Sequence, residues 1–233
     1  MGQPGQVAAA TVEAGTRQRR QRLAPAERMP LILAAAIEEF AERGYAGAGM
    51  AAVAGRAGVA KGLLYHYFPG GKADLFMAAV RGCVAPKLDE AERLIAAFQG
   101  PRREMLRSLI ITGYARMAEN PREQVLFKLI IAESDRFPEL ADFYSREVLA
   151  RATAIVRAAL RAGIETGEFR ADAADQPGLA HVVLAPAIMG SVWRMMLGEH
   201  RAPDLGAMRE AHIDMVLRAL APAAAPPEPD HGR

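Results

Sequence analysis

The 233-residue sequence predicts an all-α fold, and three observations carry that expectation. Roughly one residue in five is alanine, so the summed propensity of almost any window of about 15 residues favours helix. Aromatic side chains make up only 6% of the chain and β-branched ones are sparse, which removes the residues that strands prefer. Glycines and prolines punctuate the apolar stretches at intervals suited to helix ends. A hydrophobic content of 51% supplies one large core or two small ones. A net charge of only +2, a single cysteine and no glycine period exclude wholesale disorder, a disulfide scaffold and collagen.

The elements follow in order. Residues 1–24 carry Arg17, Arg19, Arg20 and Arg22 without any apolar period, and read as a mobile basic arm. A first helix is expected from about Ala26 to Arg43, with Leu33, Ile37 and Phe40 on one face and Gly44 as its stop. Two short helices follow, Met50 to Ala57 and Ala60 to Phe68, the second ended by Pro69, Gly70 and Gly71. Longer helices are placed near 72–98, 102–118, 121–135, 138–166, 175–197 and 204–220. Pro101, Pro121, Pro138 and Pro177 are read as first-turn prolines, while Pro86 and Pro186 should bend the helices that contain them. The prolines after Ala221 make 221–233 a loose tail. The organisation expected is an arm (1–24), a three-helix unit (25–71), a larger helical unit (72–220) and a tail.

Between Arg17 and Arg81 the chain carries ten Lys and Arg against five acidic residues, a net +5, and the remainder nets −3. A basic first third on an acidic body suggests a polyanionic partner. The lone Cys83 fits a reducing compartment, so a cytoplasmic location is expected. The most apolar stretch, Val182 to Trp193, contains Pro186 and is bracketed by His181 and Arg194; it falls short of the ~20 residues a bilayer requires, and no membrane partner is expected.

The segment from Met50 to Phe68 carries the chemistry. Met50, Val53, Ala54 and Ala57 form an apolar stripe, Gly58 permits a sharp reversal and Val59 plugs the space before the next helix. Two short helices about a tight glycine turn make a helix-turn-helix. On the second helix Leu64 and Phe68 share one side, with Lys61 and Tyr67 flanking it, and Gly62, Leu63, Tyr65 and His66 lie opposite. In a DNA groove Gly62 allows close approach, Tyr65 and His66 offer hydrogen bonds, and Leu63 can meet thymine methyls. Lys61 and Lys72, each opening a helix, can neutralise phosphates; Gly49, Arg56 and Arg22 complete the candidate DNA contacts. Two packed helices of an ordinary bundle remain the alternative on pattern alone.

The stretch from Leu31 to Phe76 closely resembles the DNA-binding domain of the TetR (tetracycline repressor) family. The resemblance runs through Phe40, Gly44-Tyr45, Val53-Ala54, Ala57-Gly58-Val59, Lys61-Gly62, Leu64-Tyr65-His66-Tyr67-Phe68 and Lys72. Ile131 to Ser134, Arg136 to Leu140 and Gly167-Glu168-Phe169-Arg170 are similar to one widespread subtype. The resemblance implies that Tyr65 and Lys72 contact phosphates and that Lys61, Gly62, Leu63 and His66 face the groove. It further implies a homodimer that reads an inverted-repeat operator in double-stranded DNA and answers to a small apolar or amphipathic effector. Half-site centres then lie about 34 to 36 Å apart, or a multiple of that. Ala48-Gly49 stands where the family usually has Thr-Ser, and Ala60 and Leu63 replace a frequent Ser and Thr, so capping and phosphate-binding hydroxyls are missing.

For the effector site, Phe98, Met105, Tyr114, Met117, Phe127, Ile130 and Met189 are the candidates, against a core role for each; Met is flexible and alanine leaves room. For the dimer seam the candidates are Val182, Ile188, Trp193, Met196, Ile213 and Val216. Gly71-Lys72 is not a P-loop, since the first glycine position holds His66 and Ala73 replaces the Ser or Thr. The five histidines lack zinc-site spacing, no nucleophile elbow is present, and the pair Glu38-Glu39 reads as a solvated face. No catalytic residue, cofactor or metal is expected. The alternative function is an all-α small-molecule binding or catalytic protein that has lost DNA recognition, motivated by the missing hydroxyls.

Overall fold

A computed structural model describes residues 24–118, 121–173 and 175–222, leaving aside the side chains of 117–123. The basic arm with Arg22, the tail beyond residue 222 and the Met117 side chain lie outside the described residues. Among the described residues all regular structure is helical. The elements are α1 (Pro25–Gly47), α2 (Met50–Arg56), α3 (Lys61–Tyr67), α4 (Lys72–Ala97), α5 (Arg102–Ala118), α6 (Pro121–Glu133) and α7 (Pro138–Phe143). A π-helical turn (Tyr144–Leu149), α8 (Ala150–Glu165), α9 (Leu179–Leu197) and α10 (Leu205–Leu220) complete them.

Pro25 opens α1, where its missing N–H is no loss, and Glu27 accepts a hydrogen bond from the Ala24 N–H at 3.0 Å. The backbone leaves helical geometry at Gly44 (φ +67°), as its reading as a stop requires, and then turns once more through Tyr45 to Gly47. Gly58 (φ +66°) makes the reversal between α2 and α3. The span 138–166, expected as one helix, is interrupted by the π turn. Thr153 Oγ1 donates at its end, 2.9 Å from the carbonyls of both Leu149 and Ala150, and so satisfies groups that a register change leaves exposed. The helix expected from 175 starts only at Leu179: Pro177 sits in the preceding turn, and Gly178 at φ +81° precedes the first turn. Pro101 likewise precedes its helix, its carbonyl accepting from the N–H groups of Glu104 and Met105.

Two apolar cores result. The first joins Ile32, Ala36 and Phe40 of α1, Val53 of α2, Leu64 of α3 and Phe76 of α4 to Leu126 and Ile130 of α6 and Leu140 and Phe143 of α7. The helix-turn-helix core therefore extends well beyond residue 71. The second joins Met105, Leu106 and Ile110 of α5, Val156 and Leu160 of α8, Val183 of α9 and Ile213 and Val216 of α10. The segment Gly167 to Arg170 ties this second core together. Glu168 accepts the N–H groups of Arg102 and Arg103 at 2.7 and 3.1 Å and caps α5, Phe169 is buried, and the Arg170 guanidinium donates to the Ala219 carbonyl at the end of α10. Burial works against the Glu168 carboxylate, but the two backbone donors, the Thr166 hydroxyl and the Arg103 charge together outweigh it and hold its pKa below the ordinary value.

α9 is longer than the apolar stretch read from the sequence. At 19 residues it is long and apolar enough, by length and composition, to cross one. Within this fold it packs on α5, α8 and α10 and buries Ala180, Val183, Gly190 and Ser191.

His212 of α10 is buried, 5.9 Å from the Tyr114 ring, and among the described residues neither imidazole nitrogen has a protein partner. Burial lowers its pKa from 6.5. Because the unfolded chain takes up the proton first, His212 lowers stability as the pH falls below about 6.5 and exerts no such effect above it. Thermal unfolding from pH 7.5 to 5.5 should show a fall in midpoint that is smaller in His212→Leu; an equal fall in both proteins contradicts this role.

Candidate nucleic-acid interface and ligand cavity

α3 is anchored from one side. Leu64 is fully buried and Phe68 nearly so, which leaves Lys61, Gly62, Tyr65 and His66 exposed and Leu63 half-buried. Tyr65 is 43% exposed, and the Lys61 ammonium stands 5.8 Å from its ring centroid. The open face is thus a cation, a phenol, an imidazole and a bare stretch of backbone, a set that suits phosphate and base edges. The Tyr65 ring also lies close to Gly71, which brings the start of α4 beside the recognition helix.

Lys72 occupies that start. Its ammonium donates to the Ala46 carbonyl at 2.8 Å and stands 5.0 Å above the Tyr45 ring, so it ties α4 to the end of α1. Tyr45 is buried between Phe76 and Phe137, with ring centroids 5.2 and 4.7 Å away, and hydrogen-bonds to Glu139. Burial first, then Glu139 and Glu133, push its pKa up to about 12. This aromatic knot joins α1, α4 and the α6–α7 connection.

Arg56 is placed differently from expectation. Its Nε donates to Glu39 at 3.2 Å and its Nη2 pairs with Glu42, so the guanidinium ties α2 back to α1. Glu39 is buried, contrary to its reading as part of a solvated face, and its Oε1 also accepts the Gly49 N–H at 3.4 Å. Gly49 therefore gives its N–H to the protein, and Glu39 holds the backbone at the start of α2 although the first-turn N–H groups keep no side-chain cap. The sequence held a signal for this: Ile32, Ala36 and Glu39 follow the helical period of the buried stripe.

A cavity of about 240 Å³ lies among α4, α5, α6, the π turn, α8 and α9. Val84, Leu109, Phe127, Tyr144, Ile155 and Ile188 give it apolar walls, with Thr112, Gln124 and Ser191 as polar points. Of the expected effector residues whose side chains are described, only Phe127 lines it. Met105, Tyr114 and Ile130 are core residues, Phe98 packs half-buried against the second core, and Met189 is exposed. Ile188, expected at the dimer seam, is in the cavity wall, because position 188 faces inward where 182, 189 and 196 face out. The contribution of the π turn (Tyr144, Val148, Leu149) has no sequence signal, since the segment reads as ordinary helix.

Of the remaining seam candidates, Ile213 and Val216 are buried within the protomer and Trp193 is half-buried. Val182 and Met196 are exposed, 57% and 71%, and with Met189 they recur every seven residues, making one apolar stripe along α9; Met215 of α10 is exposed too.

Comparison with known proteins fits this geometry. Residues 32–79 match the model for bacterial regulatory proteins of the tetR family, and residues 104–222 match the C-terminal domain of AefR-like transcriptional repressors. The HTH-type transcriptional repressor BepR of Brucella suis is 30% identical over 171 residues, covering 70% of this chain and 81% of that protein. Two solved structures share the fold. The SmeT–triclosan complex, SmeT being the repressor of the Stenotrophomonas maltophilia multidrug efflux pump SmeDEF, has a TM-score of 0.70 at 23% identity and covers 84% of this chain and 92% of its own. FadR of Bacillus subtilis in complex with stearoyl-CoA has a TM-score of 0.61 at 20% identity, with 82% and 98% covered.

The different placements of Lys61 and Arg56 separate in a salt titration. Lys61→Ala should reduce the slope of log K for DNA against log salt by about 0.9, the value of one phosphate contact. Arg56→Ala should leave the slope unchanged and lower the thermal midpoint. Equal loss of slope in both variants contradicts the assignment of Arg56 to the α1–α2 tie.

Proposed function

This chain belongs to the TetR family of bacterial regulatory proteins, and from that premise we propose that it is a homodimeric repressor released from its operator by a small molecule. In this reading two copies place their α3 helices in successive major grooves of an inverted repeat. Tyr65, His66, Lys61 and Gly62 meet the DNA, and Lys72 lies at the phosphate backbone. One observation carries the effector response. α6 lines the cavity with Gln124 and Phe127 and, on its adjacent face, completes the helix-turn-helix core with Leu126 and Ile130. A ligand that displaces Phe127 cannot leave Leu126 and Ile130 where they are, because a packed core does not deform continuously. Coupling between two such sites is typically about 1 to 3 kcal/mol. The ligands named in the SmeT and FadR complexes support the view that this fold accommodates effectors.

The dimer is supported by the α9 stripe. Val182, Met189 and Met196, with Met215 of α10, form an apolar face that a second copy covers by two-fold symmetry. This face also accounts for the apolar length of α9 without a membrane. The alternative of a binding protein that no longer reads DNA is not favoured, since the outward side of α3 keeps its cation, phenol and imidazole.

A gel shift on the DNA flanking the protein's own gene tests the reading. Wild type should bind an inverted repeat well above random DNA, and Tyr65→Ala should lose that preference. Met196→Glu should run as a monomer in sedimentation and bind the operator no better than random sequence. A dimeric Met196→Glu protein, or wild-type binding without preference for an inverted repeat, contradicts the proposal.

A further inference from the structure

The two cations in the cavity wall are engaged by the protein itself. The Lys87 ammonium donates to the Arg116 carbonyl at 2.8 Å, and the Arg116 guanidinium pairs with Glu90 at 2.5 Å. Apart from Lys87 and Ser191, α4, α8 and α9 give the wall only aliphatic side chains. The side built by α6 and the π turn differs. Gln124 and Phe127 stand three residues apart on α6 and share a face, and the Tyr144 ring centroid lies 6.0 Å from that of Phe127. An amide and a phenol thus flank Phe127 in the wall. Among the described residues neither the Gln124 amide nor the Tyr144 hydroxyl has a hydrogen-bond partner in the protein. Burial raises the Tyr144 pKa above its ordinary value of 10.0, so at neutral pH the hydroxyl keeps its proton and can donate. The site is an apolar chamber with two neutral, unspent polar groups on one side.

On the reading of this cavity as the effector site, we propose that its ligand is an uncharged molecule, a small apolar body carrying one hydroxyl or carbonyl group received by Gln124 and Tyr144. A carboxylate or ammonium entering the chamber gives up its hydration to walls whose charged groups are already paired, and neutral donors do not restore that loss. A hydroxyl loses far less, and the amide and the phenol return its hydrogen bonds. A ligand without any polar group shuts the amide and the phenol off from water and leaves them unsatisfied, which costs more than the bond itself is worth. At about 240 Å³ the chamber is smaller than the roughly 300 to 1,000 Å³ of drug-sized sites, so the body it encloses is small. The polar group is thus read on α6, the helix that also completes the helix-turn-helix core.

The test uses three probes with one body: para-propylphenol, propylbenzene and para-propylbenzoate, titrated calorimetrically at pH 7 into the full chain and into Gln124→Leu and Tyr144→Phe. The phenol should bind wild type about fivefold or more tightly than propylbenzene, and the benzoate weakest. Each substitution removes a polar group at little change in size, and each should narrow the margin between the phenol and propylbenzene while the affinity for propylbenzene holds or rises. If both variants keep the full margin, or if both probes weaken together, Gln124 and Tyr144 do not read the ligand and the proposal is overturned. Benzoate binding equal to or tighter than that of the phenol overturns the uncharged class but leaves the cavity as a binding site. No binding of any probe overturns both. Binding with the expected margin that leaves operator affinity unchanged in a gel shift upholds the ligand class and overturns only the reading of the cavity as the effector site.

Discussion

The packing of Leu126 and Ile130 into the core formed by α1, α2, α3 and the start of α4 governs the molecule. A three-helix unit of about 47 residues is short for burying a core of its own, and domains so small are marginal. Here the shortfall is met by α6 and α7, which add Leu126, Ile130, Leu140 and Phe143 to the same apolar cluster. The recognition helix therefore has no orientation independent of the body. Its anchor, Leu64, shares a core with a helix whose next face lines the cavity.

The polar contacts reinforce this arrangement at its weak points. The α2 N-terminus has no side-chain cap of its own, and the buried Glu39 supplies an acceptor from α1, held by Arg56. The end of α1 is fixed by Tyr45, whose ring is enclosed by Phe40, Phe76 and Phe137 and whose hydroxyl is bonded to Glu139. Lys72 closes the same joint from α4. At the far end Glu168 and Arg170 bind the start of α5 and the end of α10, so the second core is clamped where the first is hinged.

Much of this was legible in the sequence because the physics was local. Gly44 and Gly58 marked the two reversals, and the period of Met50, Val53, Ala54 and Ala57 oriented α2. The alternation of Leu64 and Phe68 with Tyr65 and His66 told the buried side of α3 from the open one. What failed depended on partners distant in the chain. Tyr114, Met105 and Ile130 have the character of pocket residues, and only the crossing of α5 with α9 and α10, or of α6 with α1, makes them core. Ile188 and Met189 are adjacent, yet one lines the cavity and the other faces out, a distinction that composition cannot draw. The tie of Arg56 to Glu39 and Glu42 likewise joins residues 17 and 14 apart in the chain.

The dependence of the recognition helix on α6 is tested most directly by amide hydrogen exchange on Ile130→Ala. Loss of a buried isoleucine costs about 2 to 5 kcal/mol, and the account places that loss in the helix-turn-helix core. Protection should fall at Val53, Leu64 and Phe40 while α8 and α10 keep theirs. Unchanged protection in α1 to α3, with the loss confined to α6 itself, would contradict the shared core and with it the route from the cavity to DNA.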